Sequence, residues 1–137
     1  MVFFYSVILR MKLLVTLILI FTLSNMSSQK LAEYKWQNRL VILVSLDLES
    51  ESVKKQGKQF HDAKKAIKER EMLVLRLSPK SEALKAYNIS QNYEGVLLIG
   101  EDGGLKAKHD FLVAPSIVFE LVDSMPMRRA EIRSKND

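Results

Sequence analysis

Apolar and polar positions alternate along the chain in blocks that read as elements. Residues 2–9 and 13–23 are almost wholly apolar, interrupted only by the charged Arg10 and Lys12. Arg39-Leu-Val-Ile-Leu-Val-Ser45 is apolar on both faces, the pattern of a strand buried in a covered sheet. A helix is predicted from about Ser52 to Glu69. There Val53, Gln56, Phe60, Ala63 and Ile67 share one face and six lysines lie off it. Met72–Leu77 and Gly95–Gly100 read as two more buried strands. Between them, Ser78-Pro79 opens a short helix that ends near Tyr87-Asn88. Glu101-Asp-Gly-Gly104 is a tight turn into Leu105–Lys108, whose apolar/lysine alternation suits an exposed edge strand. Pro115 starts a last helix with the stripe Ile117, Val118, Leu121, Val122 and Met125, which Pro126 ends or kinks.

The order is strand, helix, strand, helix, strand, strand, helix. A parallel βαβ unit followed by an antiparallel hairpin and a covering helix describes an α/β, thioredoxin-like core. It consists of a central four-stranded mixed sheet (β-α-β-α-β-β-α) flanked by helices. The chain has 137 residues and shows no repeat or linker, so one domain over residues 29–137 is expected.

Residues 1–28 read differently. A short positive segment, an apolar core from Leu13 to Leu23 and the small polar run Ser24–Ser28 are the three parts of a secretory signal peptide, with Met11 a candidate true start. Cleavage is expected near Ser27 or Ser28. The chain would then be secreted, or periplasmic or extracellular, and it would meet a membrane only if the leader stayed uncleaved as an anchor. The apolar core is shorter than the roughly 20 residues that span a bilayer.

Composition narrows the chemistry. The chain has no cysteine, which removes disulfides, thiolate metal sites and thiol redox catalysis. In a thioredoxin-like fold the reactive thiol follows the first strand, and here that segment is Ser45-Leu-Asp-Leu-Glu-Ser-Glu-Ser52. A hydrolase reading of these serines lacks a G-x-S-x-G elbow and a nearby histidine. His61 and His109 show no paired ligand spacing, so neither a metal nor any other cofactor is expected. Outside the leader, 19 basic residues face 16 acidic ones, too mild a balance for nucleic-acid binding. The lysines of the first long helix read as a solvated face, with a polyanion as the less favoured partner. Trp36 and Tyr34 are expected to pack against the sheet or to anchor an interface. Asn88-Ile-Ser90 is a glycosylation sequon, meaningful in a source that glycosylates exported proteins.

Three stretches carry a family resemblance: Leu31-Ala-Glu-Tyr-Lys-Trp-Gln-Asn-Arg39, Leu97-Leu-Ile-Gly-Glu-Asp-Gly-Gly-Leu-Lys106 and Asp123-Ser-Met-Pro-Met-Arg-Arg-Ala-Glu-Ile-Arg133. Together they resemble domain of unknown function family 4174. That resemblance implies a thioredoxin- or peroxiredoxin-related exported domain without the usual catalytic apparatus. Such domains occur alone in bacteria and as modules of animal matrix and sushi-repeat-containing proteins. The family has no established reaction, so no catalytic residue is carried over. Trp36, Arg39, Met125, Pro126, Met127, Arg128 and Arg129 match its motifs. They are candidates either for structure, with the arginine pair binding helix C-terminal carbonyls, or for a partner-binding patch. The expected function is a redox-inactive binding or interaction module whose partner is a protein or an envelope polyanion. The rivals are an enzyme using Ser45, Asp47 or Glu49 in non-thiol chemistry, and a membrane-anchored accessory protein.

Overall fold

The computed structural model describes residues 2–26 and 31–137, with only the backbone described for 17–26. Helix α1 (Val2–Met26) runs unbroken through Arg10 and Lys12, and its described side chains are exposed. Among the described residues no helix is long and apolar enough to cross a membrane. The expected cleavage at Ser27 or Ser28 lies outside the described residues.

The remaining elements are β1 (Arg39–Val44), α2 (Glu51–Asp62), α3 (Lys64–Glu69), β2 (Met72–Leu77), β3 (Gly95–Ile99), β4 (Leu105–His109), α4 (Pro115–Asp123) and α5 (Pro126–Asn136). The strands form one mixed sheet in the order β2-β1-β3-β4. β1 pairs in parallel with β2, from Arg39↔Met72 to Val44↔Leu77. It pairs antiparallel with β3, from Leu40↔Ile99 to Val44↔Gly95, and β3 continues antiparallel into β4. This four-stranded sheet flanked by helices is compatible with a thioredoxin-like fold.

Strand position explains strand burial. β1 and β3 lie inside the sheet and every residue of both is buried. β2, expected to be equally buried, is an outer strand, and most of it is only half-buried. On one face, Val41, Leu43 and Leu98 pack with Val53, Phe60 and Val122 from the helices. On the other face, Leu40, Ile42 and Leu97 pack with Leu84, Tyr34 and Tyr87. Gln56 is fully buried in α2, yet both ends of its amide are satisfied by the Val113 backbone at 2.9 and 3.0 Å, which ties α2 to the approach of α4.

Several expected elements have different ends. The long helix breaks at Ala63 into α2 and α3. The short helix is a 3-10 segment, Glu82–Tyr87, and starts later than Pro79. Ile117, placed on the buried stripe, is exposed, whereas Val118 and Val122 are buried. In the β3–β4 turn only Gly103 takes a left-handed φ, 81°. Pro126 does end α4's run, but it also opens α5, because its missing N–H and fixed φ suit a first helical position. The Met-Pro-Met-Arg-Arg segment is therefore a helix start and not a basic helix end.

Candidate functional site

The sheet register brings chemistry together at one end. Arg39 opens the central strand β1. Its parallel partner β2 is preceded by Arg70 and Glu71, and the antiparallel β3 delivers Gly100 and Glu101 to the same end. The α4–α5 junction covers this end with Asp123, Arg128 and Glu131.

Arg39 is only 1% exposed. Its Nη1 donates to the Arg70 carbonyl at 2.9 Å and lies 3.4 Å from Glu101 Oε1, and its Nη2 donates to Glu131 Oε1 at 3.1 Å. Arg128, 7% exposed, donates to Asp123 Oδ1, Glu131 Oε2 and the Glu69 carbonyl at 3.1–3.2 Å. Arg70 grips Asp123 with two bonds of 3.0 and 2.8 Å, donates to the Ala66 carbonyl and lies over the Phe119 ring at 4.7 Å. Three guanidiniums thus meet carbonyls at the end of α3, where positive charge is favoured.

The carboxylates divide into two kinds. Burial works against ionised Asp123 and Glu131, but bonds from the arginines outweigh it and hold both below their ordinary range. Glu101 goes the other way. Burial raises it, Arg39 only partly opposes this, and Glu131 and a hydrogen bond shared with Glu71 raise it further. Three guanidiniums face four carboxyl groups here, and Glu101 is the one held above its ordinary range. Glu71, Glu101 and Glu131 bring oxygens within 4.8 Å of one another, the spacing of a cation cage. Arg39 and Arg128 already occupy the Glu131 oxygens, so guanidinium supplies the counter-charge.

Above this ionic floor lies a cavity of about 510 Å³, walled by Leu121, Met125, Pro126 and Met127 over Arg39 and Glu101. Lys106 and Asp102 pair at 2.8 Å on its rim. Trp36 donates its backbone N–H to the Glu101 carbonyl at 2.6 Å. Its expected packing against the sheet does not occur: the side chain is 63% exposed, with Lys35 Nζ 5.7 Å from the ring. Tyr34 does pack against the core. Trp36 and Glu71 both have positive φ, 66° and 50°. Asn88 and Leu112 share this conformation away from the cavity, at 54° and 66°.

Of the motif residues, Arg39, Met125, Pro126 and Met127 border this cavity, and Trp36 bonds to the backbone of its floor. Arg128 and Arg129, considered as a pair, part at once: Arg128 is buried in the ionic network and Arg129 is exposed. Sequence reasoning missed Arg70, Glu71, Glu101, Asp123 and Glu131. The available signal was positional, since charges flanking β1, β2 and β3 converge once the register is known.

The opposite end of the sheet holds the serine- and acid-rich segment. Ser45 Oγ donates to the Asp47 carbonyl and accepts the Asp47 N–H, at 2.9 and 3.0 Å. Asp47 Oδ1 accepts the Glu49 N–H, Glu94 accepts the Leu46 N–H, and Ser50 caps α2. Asp47 and Glu49 are exposed. These bonds make turns and a cap, and neither histidine joins them. His61 is exposed on α2, whereas His109 is half-buried with an unpartnered Nε2.

The geometry defines a cysteine-free α/β domain with an apolar pocket over a buried ion network. The family described as a domain of unknown function (DUF4174) matches residues 30–85 and 78–131, and the chain belongs to it. No curated protein matches the chain.

Proposed function

We propose that the protein is an exported binding module on a thioredoxin-related fold that has no redox reaction, and that the Met125–Met127 cavity receives an apolar side chain of a protein partner. One observation carries this reading: an apolar wall built by Met125, Pro126 and Met127 stands over the buried Arg39–Glu101 floor. Met127 is 45% exposed at its edge, and methionine adapts its shape to varied apolar partners. Trp36 adds a second exposed anchor of the type enriched in interface hot spots. The leader over 1–28 supports export, and the absence of cysteine suits an oxidising compartment without dithiol turnover.

The test captures partners from the native envelope and culture medium with wild type, Met127→Asp and Trp36→Ser. Both variants alter exposed side chains, so their thermal melting should match wild type while capture is lost. Unchanged capture by Met127→Asp would overturn the assignment of the cavity. N-terminal sequencing of exported protein should find a start near residue 28.

A further inference from the structure

A second cleft lies away from the ionic floor, between the α2–α3 helices and the outer strand β2. It encloses about 360 Å³, at the small end of ligand pockets. Its apolar floor is Phe60, Ile67 and Val74, and its polar groups are His61, Lys64 and Arg76. The lining includes no acidic residue. Among the described residues, none of these three bases has a carboxylate within 4.0 Å, whereas Arg39, Arg70 and Arg128 all do.

Arg76 is exposed and runs beside α2. Its guanidinium lies against the α2 backbone at Gly57, where any Cβ would collide with Nη2. The missing side chain at Gly57 leaves room for the guanidinium beside the helix. A planar fork of donors without a carboxylate partner matches the geometry of a carboxylate. Val74 and Arg76 point to the same side of β2, as residues two apart on a strand do, so the apolar floor and the cation adjoin.

We propose that this cleft binds a carboxylate carried on a compact apolar body, with Arg76 and Lys64 meeting the anion and Phe60, Ile67 and Val74 meeting the body. The site is independent of the Met125–Met127 cavity.

The probe is 2-naphthoate, titrated into the full-length protein while the methyl resonances of Ile67 and Val74 are followed by NMR. Saturable shifts of those methyls are expected, with affinity falling about tenfold in Arg76→Gln, the loss of one charge-assisted pair. Neutral 2-naphthol and acetate, an anion with only a methyl group for a body, should each fail to saturate the site. Gly57→Ala, which displaces the guanidinium without removing it, should also weaken binding, and thermal melting separates this from unfolding. Met127→Asp should bind 2-naphthoate as wild type does, so this proposal and that for the other cavity fail separately. Equal affinity in Arg76→Gln, or equal binding of 2-naphthol, overturns the proposal.

Discussion

The two ends of the central strand are built on opposite plans. At the C-terminal end, where thioredoxin-like folds carry a reactive thiol, Ser45, Asp47 and Glu49 spend their polar groups on neighbours within a few residues. At the N-terminal end, Arg39 reaches partners 31 and 92 residues away. Local bonds shape a turn and leave the carboxylates in water, so little free energy rides on any one of them. In the network Arg39, Glu101 and Arg128 are buried, so water does not readily replace a partner they lose, while Asp123 and Glu131 keep a quarter to a third of their side chains in solvent. Acidic residues in a promising place are thus not enough to make a site. Burial and convergence distinguish the two ends, and both belong to Arg39.

Substitutions should rank the two ends accordingly. Arg39→Ala is expected to be the most damaging, costing about 3–5 kcal/mol in urea denaturation, because it empties a fully buried position and takes a donor from both the Arg70 carbonyl and Glu131. A cost near that of a surface change would mean the network contributes nothing net. Arg128→Ala should follow at about 3 kcal/mol, with Arg129→Ala within about 0.5 kcal/mol, which separates adjacent arginines by burial alone.

Glu101→Gln tests the raised carboxyl group. A carboxyl group raised on folding binds its proton more tightly in the folded state. Wild type should therefore lose stability as pH rises from the ordinary value of 4.5 through the raised one. Asp123 and Glu131, lowered on folding, act oppositely: their contribution is present above 3.8 and 4.5 and is lost as pH falls. Denaturation midpoints from pH 3 to 9 should peak between these limbs. Glu101→Gln should flatten the alkaline limb and leave the acid limb in place. An unchanged alkaline limb would mean that Glu101 is not raised on folding.

At the other end the effects shrink. Ser45→Ala should cost about 1 kcal/mol, the value of a neutral hydrogen-bonded turn. Lys54→Ala should fall within about 0.5 kcal/mol by the same measurement, since its pair with Glu49 is 3.9 Å long and exposed on both sides.

The sheet was largely legible in the sequence because its signal is local. Runs such as Leu40–Val44 and Val96–Ile99 read as strands before any partner is known, and Lys106 and Lys108 mark the β4 edge. The break at Ala63 carries neither proline nor glycine, so periodicity ran through it. Pro126 was ambiguous because one residue both stops a helix and starts one, and the Arg128–Glu69 bond settles α5 only in three dimensions. Trp36 misled because large aromatic residues are mostly covered, and here a left-handed backbone turns it outward. The ionic floor was least legible, since each member looks like an ordinary strand-flanking charge until register assembles them.

The span of the Arg39–Glu131 bond also bears on time. A contact between residues 92 positions apart closes a long loop and is expected to form after the local elements it joins. Such a bond belongs on the native side of the folding barrier. Removing it should therefore leave the refolding rate almost unchanged and accelerate unfolding. In that sense the network is a latch: it sets how long the protein stays folded more than how quickly it gets there.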